Sequence, residues 1–459
     1  MTKQEAVINY ISENYLAFNR LRHDVISDKL QVRVAHSLSA PHNATSVIED
    51  PAEDASLQNA PEGLLFRGSE YWREMTKHDI NSIVCHCAQE YDVNITSREV
   101  MTALQSDLIP NVHPLREYIQ SLRPYTPEQP DWIDMVASQV TVRESGSNGS
   151  KGEDTFGTSG TFRTSSTKAD RLWRICFKKW FVAMVASWMK DEVVNHQVLV
   201  LIGRQGIYKT TWLEHLLPPH LRAYACKLAN SNDLNKDERL RIAEFGLISL
   251  DEIDSMNNRE LNQLKSVITA SDVNERAAYA YTKERRVRLA SFCASGNRRD
   301  FLTDITGNRR WLPFEVESIL NPFYTTLPYD LMYAQAWALA QDPLFGYWFD
   351  LNEIEVLEQH NQHFRDESNE EQLLDVYFAV PSTEASNAKF LTTAEISERL
   401  IYYGNIKKPM TLSRLGVLLS QKGFLSVRRG NPSRRGWIIY ERESQEVNSE
   451  RSILSKDLY

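Results

Sequence analysis

Val198-Leu-Val-Leu-Ile-Gly-Arg-Gln-Gly-Ile-Tyr-Lys-Thr-Thr211 is the stretch whose reading decides the fold. An apolar run of strand type passes directly into a loop with glycines at 203 and 206 and ends on a lysine and two threonines. After a buried parallel strand, backbone N–H groups can wrap the β- and γ-phosphates of a nucleotide only where small residues allow close approach. The loop Gly203, Arg204, Gln205, Gly206, Ile207, Tyr208, Lys209, Thr210 and Thr211 meets that need. Lys209 supplies a point charge and the Thr210 hydroxyl a ligand for Mg²⁺. The helix that follows, Thr211-Trp-Leu-Glu-His-Leu-Leu217, is expected to aim its positive end at the phosphates and to stop at Pro218-Pro219. Tyr208 stands where this pattern usually has glycine, so its Cβ and ring must find room beside the nucleotide. Taken alone, the stretch leaves open a strand-to-helix turn that binds nothing.

Three later residue sets point to the same sheet edge. Glu244-Phe-Gly-Leu-Ile-Ser-Leu-Asp-Glu-Ile-Asp254 reads as a second buried strand, this one ending in acids. An Asp there can hold Mg²⁺ through water and the adjacent Glu can polarise an attacking water, roles that fall to Asp251 and Glu252. A solvated strand end is the plainer reading of such a pair, and the interval behind the phosphate loop favours chemistry. Arg285-Arg-Val-Arg-Leu-Ala-Ser-Phe-Cys-Ala-Ser-Gly-Asn297 reads as a strand delivering Asn297, whose amide can hold the lytic water or the γ-phosphate. In Thr306-Gly-Asn-Arg-Arg-Trp-Leu-Pro-Phe-Glu315, Arg309 and Arg310 lie on a turn before a strand. That place suits phosphate contact and completion of a neighbouring subunit's site.

At 459 residues the chain has room for two or three domains, and an apolar fraction of 42% supports folding. Its five cysteines, Cys85, Cys87, Cys176, Cys226 and Cys293, lack disulfide or metal spacing, which fits a reducing, cytoplasmic compartment. No apolar run approaches bilayer length, and the N-terminus lacks a signal pattern. A net charge of −9 argues against indiscriminate nucleic-acid binding by the whole surface, so local patches must carry any such role.

From about Val112 to Val316 the chain resembles the virulence-associated protein E family, AAA+-type ATPases related to superfamily 3 helicases. The resemblance rests on Val112-His-Pro-Leu-Arg-Glu-Tyr-Ile-Gln-Ser-Leu122, Lys178-Lys-Trp-Phe-Val-Ala-Met-Val185 and Gly203-Arg-Gln-Gly-Ile-Tyr-Lys-Thr210. It continues through Leu250-Asp-Glu-Ile-Asp254, Leu264-Lys-Ser-Val-Ile-Thr269 and Thr306-Gly-Asn-Arg-Arg310. It implies ATP and Mg²⁺ as cofactors, a hexameric ring of identical subunits, and proteins of mobile elements or prophages that act in replication. Single-stranded DNA and a primase or other replication protein are the partners it implies, with no membrane. In the related helicases the segment before the sensor asparagine is a hairpin that holds DNA. The matching segment, Glu275 to Arg286, mixes Tyr279 and Tyr281 with Lys283, Arg285 and Arg286, which suits stacking with backbone tracking. An ordinary solvated hairpin is the alternative.

Residues 1–142 read as a mostly helical module with a mobile loop near 37–63, opened by a helix and a short hairpin turning at Ser27-Asp28. Trp72, Ile80, Ile83, Val84, Cys87 and Tyr91 fall at helical spacing. A Gly- and Ser-rich linker spans 143–168, the P-loop ATPase core 169–325, and a helical segment 326–380. The core opens with a helix carrying Trp173, Phe177, Trp180, Phe181 and Trp188 on its packing face. Residues 381–443 read as helix, helix and hairpin, a winged-helix-like module, before a disordered tail at 444–459. The hairpin bears Arg428, Arg429, Arg434 and Arg435, a cluster able to grip phosphates, although such modules also serve protein contacts. The expected fold is therefore an α/β P-loop ATPase core, AAA+/superfamily 3 helicase-like, with helical N-terminal and winged C-terminal modules. The expected function is an ATP-driven DNA helicase or translocase. An ATP-gated DNA-binding or regulatory protein that unwinds nothing is the rival.

Overall fold

The computed structural model describes residues 1–35, 70–143, 167–228, 236–275, 284–302, 308–365, 368–381, 387–429 and 433–442. They fall into two units, one within 1–252, 259–295 and 314–349, the other within 253–258, 296–313 and from 350 onward.

In the first unit, Thr2 and Glu5 close a reciprocal cap on the helix Lys3–Ile11. Strands β1 (Leu21–Asp24) and β2 (Lys29–Ala35) pair antiparallel around the predicted Ser27-Asp28 turn, where Asp28 takes a left-handed φ of 57°. Strand β3 (Glu70–Glu74) adds to β2 and β4 (Asn111–Val112) runs parallel to β1, giving the sheet order β3-β2-β1-β4. The module thus sets a four-stranded sheet beside its helices, where the sequence suggested a single hairpin. Trp72 lies in β3, outside the helix Lys77–Tyr91, with the Arg22 guanidinium 4.1 Å over its ring. Side-chain periodicity reports local structure, whereas β3 is made a strand by a partner far upstream. Helix Ser97–Leu104 is capped by Thr96, and Ala6, Ile11, Leu21, Ile83, Cys87 and Val100 share one core with it.

Strands β5 (Val140–Val142), β6 (Val198–Ile202), β7 (Ala225–Leu228) and β8 (Leu247–Leu250) belong to a second sheet. A separate antiparallel pair, β9 (Asp272–Glu275) and β10 (Glu284–Val287), is followed by β11 (Ser291–Gly296) and β12 (Trp311–Ile319), which complete that sheet. Its order is β5-β12-β6-β11-β8-β7, with β7, β8 and β11 mutually parallel. Burial on both faces explains the unbroken apolar reading of β6. The helix Lys168–Met189 covers the sheet with the expected aromatic face. Each indole of this helix finds a carbonyl: Trp173 Nε1 donates to that of Ala137 at 2.9 Å, Trp180 Nε1 to that of Phe292 at 3.1 Å and Trp188 Nε1 to that of Gly246 at 3.1 Å. The N-terminal sheet meets the β7 side through Tyr224, whose hydroxyl donates at 2.8 Å to the fully buried Asp24 carboxylate.

Three boundaries depart from expectation. The acid-bearing strand is only Leu247–Leu250, because Glu244 ends the helix Lys236–Glu244. The predicted strand from Arg285 to Asn297 is two strands broken at Arg288. That guanidinium is 1% exposed and donates to the carbonyls of Ala290 at 3.0 Å, Asn195 at 2.8 Å and Ile268, and burial pushes its pKa down to about 9. Bending the chain inward at Arg288 satisfies donors that a continuous strand would point elsewhere. The helix after the glycine loop is Lys209–Glu214, starting before Thr211.

In the second unit, β13 (Phe378–Ala379), β14 (Lys389–Leu391), β15 (Leu425–Arg429) and β16 (Arg434–Glu441) form one sheet centred on β16. Helices Thr393–Gly404 and Leu412–Gln421 pack on it through Ile396, Leu400, Leu415, Leu419 and Trp437. The order of helix, helix and hairpin is the one read from sequence.

Candidate functional site

The glycine loop leaves β6 beside β12. A Cβ on Gly203 would lie 2.7 Å from the Val316 carbonyl oxygen, so only glycine lets the two backbones approach this closely. Gly206 has φ +85°, a conformation that L side chains rarely adopt. Arg204, Gln205 and Gly206 form the exposed lip, Ile207 and Thr211 are half-buried, and Lys209 is 7% exposed. Its Nζ donates to the carbonyls of Gly203 at 2.7 Å and Arg204 at 2.6 Å, which holds the ammonium over the loop. Tyr208 caps the next helix with φ +66°, a left-handed conformation that costs a non-glycine residue about 1 kcal/mol. Its ring stands edge-on to Phe323 with centroids 6.4 Å apart.

The sheet order puts β11 between the loop strand and the acid strand. Thr210 Oγ1 lies 3.3 Å from Asp251 Oδ1 and 2.9 Å from Ser295 Oγ, and Ser295 Oγ donates to the same carboxylate oxygen at 2.7 Å. Lys227 Nζ on the edge strand β7 holds the other oxygen at 2.9 Å. Burial pushes the Asp251 carboxyl up, but the hydrogen bonds from Lys227 and Ser295, aided by the lysine's charge, outweigh it and hold it below its ordinary value. Ser295 and Lys227 escaped sequence reasoning. A serine within an apolar strand and a lysine on an edge strand carry no motif, and only the order of strands brings them to Asp251. Glu252 follows Asp251 with φ +52°. Among the described residues, no group of three or more His, Cys, Asp or Glu could by itself hold a metal ion, and no helix is long and apolar enough to cross a membrane.

The second unit carries Asn297, Arg309 and Arg310. The exposed Asn297 donates its backbone N–H to Asp254 Oδ1 at 3.1 Å, and Arg298 donates its own to Oδ2 at 3.0 Å, fixing the backbone after β11. Arg309 is exposed and Arg310 half-buried on the turn Asn308–Arg310. Asn361, a buried residue with no sequence signal, pins that turn by donating to the carbonyls of Asn308 at 2.8 Å and Trp311 at 3.0 Å.

Of the expected DNA contacts, Tyr279, Tyr281 and Lys283 lie outside the described residues. Strands β9 and β10, on either side of them in the chain, pair antiparallel. Arg285 is 74% exposed and pairs with Asp272 at 2.9 Å. Arg286 is 20% exposed and lies 3.5 Å from Asp28 and 3.6 Å from Glu244, so it braces the hairpin base against the N-terminal turn. On the C-terminal ribbon Arg428 stands opposite Arg435 and Arg429 opposite Arg434, all four exposed.

Residues 154–367 match the family model of the virulence-associated protein E-like domain. No curated protein matches the chain. Among solved structures it is similar to the apo structure of the NrS-1 C-terminal region (305–718), with TM-score 0.44 and 10% identity over 95% of this chain and 100% of that one. The A-form apo structure of the same region gives TM-score 0.43 and 10% identity over 96% and 99%.

Proposed function

We propose that this chain, which carries a virulence-associated protein E-like domain, is an ATP-driven DNA translocase or helicase built on a P-loop core and serving replication of a mobile element or prophage. The observation that carries the reading is the 3.3 Å approach of the Thr210 hydroxyl to the Asp251 carboxylate, between two strands separated by a third. A hydroxyl and a carboxylate held below its ordinary pKa are the oxygen donors that Mg²⁺ prefers, so the pair fits that ion. Bound there with the nucleotide's own oxygens, Mg²⁺ would neutralise phosphate charge.

The chain's own residues do the rest. Backbone N–H groups of the glycine loop orient the triphosphate, and the Lys209 ammonium balances charge on the β- and γ-oxygens. Glu252 orients a water for in-line attack on the γ-phosphorus. As its oxygen bonds to phosphorus, the bond to the β–γ bridging oxygen breaks, leaving ADP and inorganic phosphate. Arg309 or Arg310 completes a neighbouring subunit's site, which makes the working form a homo-oligomeric ring, most simply a hexamer.

A second reading, an ATP-gated DNA-binding regulator without unwinding, draws support from Arg286. Its contacts with Asp28 and Glu244 leave less of the hairpin for DNA, while the C-terminal ribbon presents four exposed arginines. ATP turnover with and without single-stranded DNA, together with particle mass, tests both. DNA-stimulated hydrolysis by a ring supports the translocase. Turnover indifferent to DNA in a monomer supports the regulator, and failure to bind ATP overturns both.

A further inference from the structure

Beside the phosphate loop the first unit exposes an aromatic cluster that the site described above does not use. Tyr208 occupies a left-handed position natural to glycine, so the chain keeps a ring there at a conformational cost. That ring stands at 81° to Phe323, and Phe323 stands at 83° to His215, with centroids 5.7 Å apart. Phe323 is 69% exposed and Tyr208 39%. A ring this exposed contributes little to the core.

The backbone under Phe323 is nevertheless fixed. Asn321 Oδ1 accepts the Phe323 N–H at 3.0 Å, and the Asn321 carbonyl accepts from the Tyr324 N–H and the Thr325 hydroxyl at 3.1 Å each. The same Asn321 donates through Nδ2 to the Tyr208 hydroxyl at 3.4 Å, so one side chain organises both the turn and the second ring. His215 is held as well, its Nδ1 donating to the Thr211 carbonyl at 2.7 Å. Exposed rings on a braced frame, one of which, Tyr208, immediately precedes Lys209, are preorganised for a flat ligand tethered to the phosphates.

We infer that Phe323, walled by Tyr208 and His215, is the stacking seat for the heterocyclic base of the nucleoside triphosphate, with purines favoured for their larger face. The inference rests on the nucleotide-binding reading above and adds the groups that recognise the base. It also gives Tyr208 a role. The ring that takes a glycine's place forms one wall of the base seat.

The test compares binding of Mg²⁺-ATP with that of Mg²⁺-tripolyphosphate, which has the phosphates and no base, to wild type, Phe323→Ala and Phe323→Trp. Phe323→Ala is expected to weaken ATP roughly 5- to 100-fold and leave tripolyphosphate unchanged, and Phe323→Trp to retain ATP affinity. Asn321→Ala, which releases the frame and keeps the ring, should weaken ATP alone and to a smaller extent. If Phe323→Ala leaves the ratio of the two affinities at the wild-type value, the seat is wrong and nucleotide binding stands. If wild type binds neither ligand, nucleotide binding falls and the seat with it.

Discussion

Lys227 Nζ lies 2.9 Å from Asp251 Oδ2, on the far side of the carboxylate from Thr210 and Ser295. An ammonium there competes with any cation for Asp251. Lys227→Met should therefore lower the Mg²⁺ concentration for half-maximal nucleotide binding, by roughly 2- to 5-fold for a half-exposed pair. An unchanged or raised Mg²⁺ requirement would show that the lysine does not contest the site.

Lys209 and Glu252 are expected to fail in different ways. Lys209→Ala removes charge that meets the triphosphate in every state and should abolish nucleotide binding. Glu252→Gln keeps the shape, acts only on the attacking water and should bind ATP normally while turnover falls by about 100-fold or more. Calorimetric titration with ATP, run beside phosphate release, separates the two. Equal ATP affinity in wild type and Lys209→Ala would refute the site.

Arg428 facing Arg435, and Arg429 facing Arg434, set like charges directly across an antiparallel ribbon, an arrangement that costs stability. Phosphates would relieve it. Arg428→Ser should raise the Tm slightly and lower the salt slope of single-strand binding by about 0.7. If the variant gains stability and keeps the wild-type slope, the ribbon meets something other than DNA.

His113 caps the helix Pro114–Ser121 with its ring, Nδ1 accepting the Arg116 N–H at 3.2 Å. Burial, reinforced by the Arg116 charge, pushes its pKa down from 6.5 to about 4. The native imidazole must therefore stay neutral where the unfolded one takes a proton. Stability should fall as pH drops from 6.5 toward 4, by at most about 1.4 kcal/mol per unit from this group, and be unaffected above that window. His113→Asn keeps a capping acceptor that does not titrate, and should flatten this part of the denaturation profile relative to wild type. Parallel profiles for the two proteins would refute the assignment.

Much of the core was legible because its signals are local. The apolar run of β6, the glycines at 203 and 206, the lysine and threonine after them, and the acids after the next buried strand each announce themselves within a few residues. Thr96 and Thr392, each with a Glu three residues on that closes a reciprocal cap, are equally local signals of a helix start. Other features depend on which strand lies beside which, and periodicity does not encode that. The helical reading of Trp72 failed because β3 gains strand character from β2 across the intervening chain. The continuous strand through Arg288 failed because a guanidinium found carbonyls from three separate segments. The sequence by itself determined the residue types proposed for phosphate and cation chemistry and their order along the chain. Only the tertiary structure decided that β11 lies between β6 and β8, bringing Ser295 and Thr210 to one oxygen of Asp251 and leaving the other to Lys227 on β7. It alone put Phe323 beside Tyr208, since contacts between residues distant in the chain arise from packing, to which local pattern is blind.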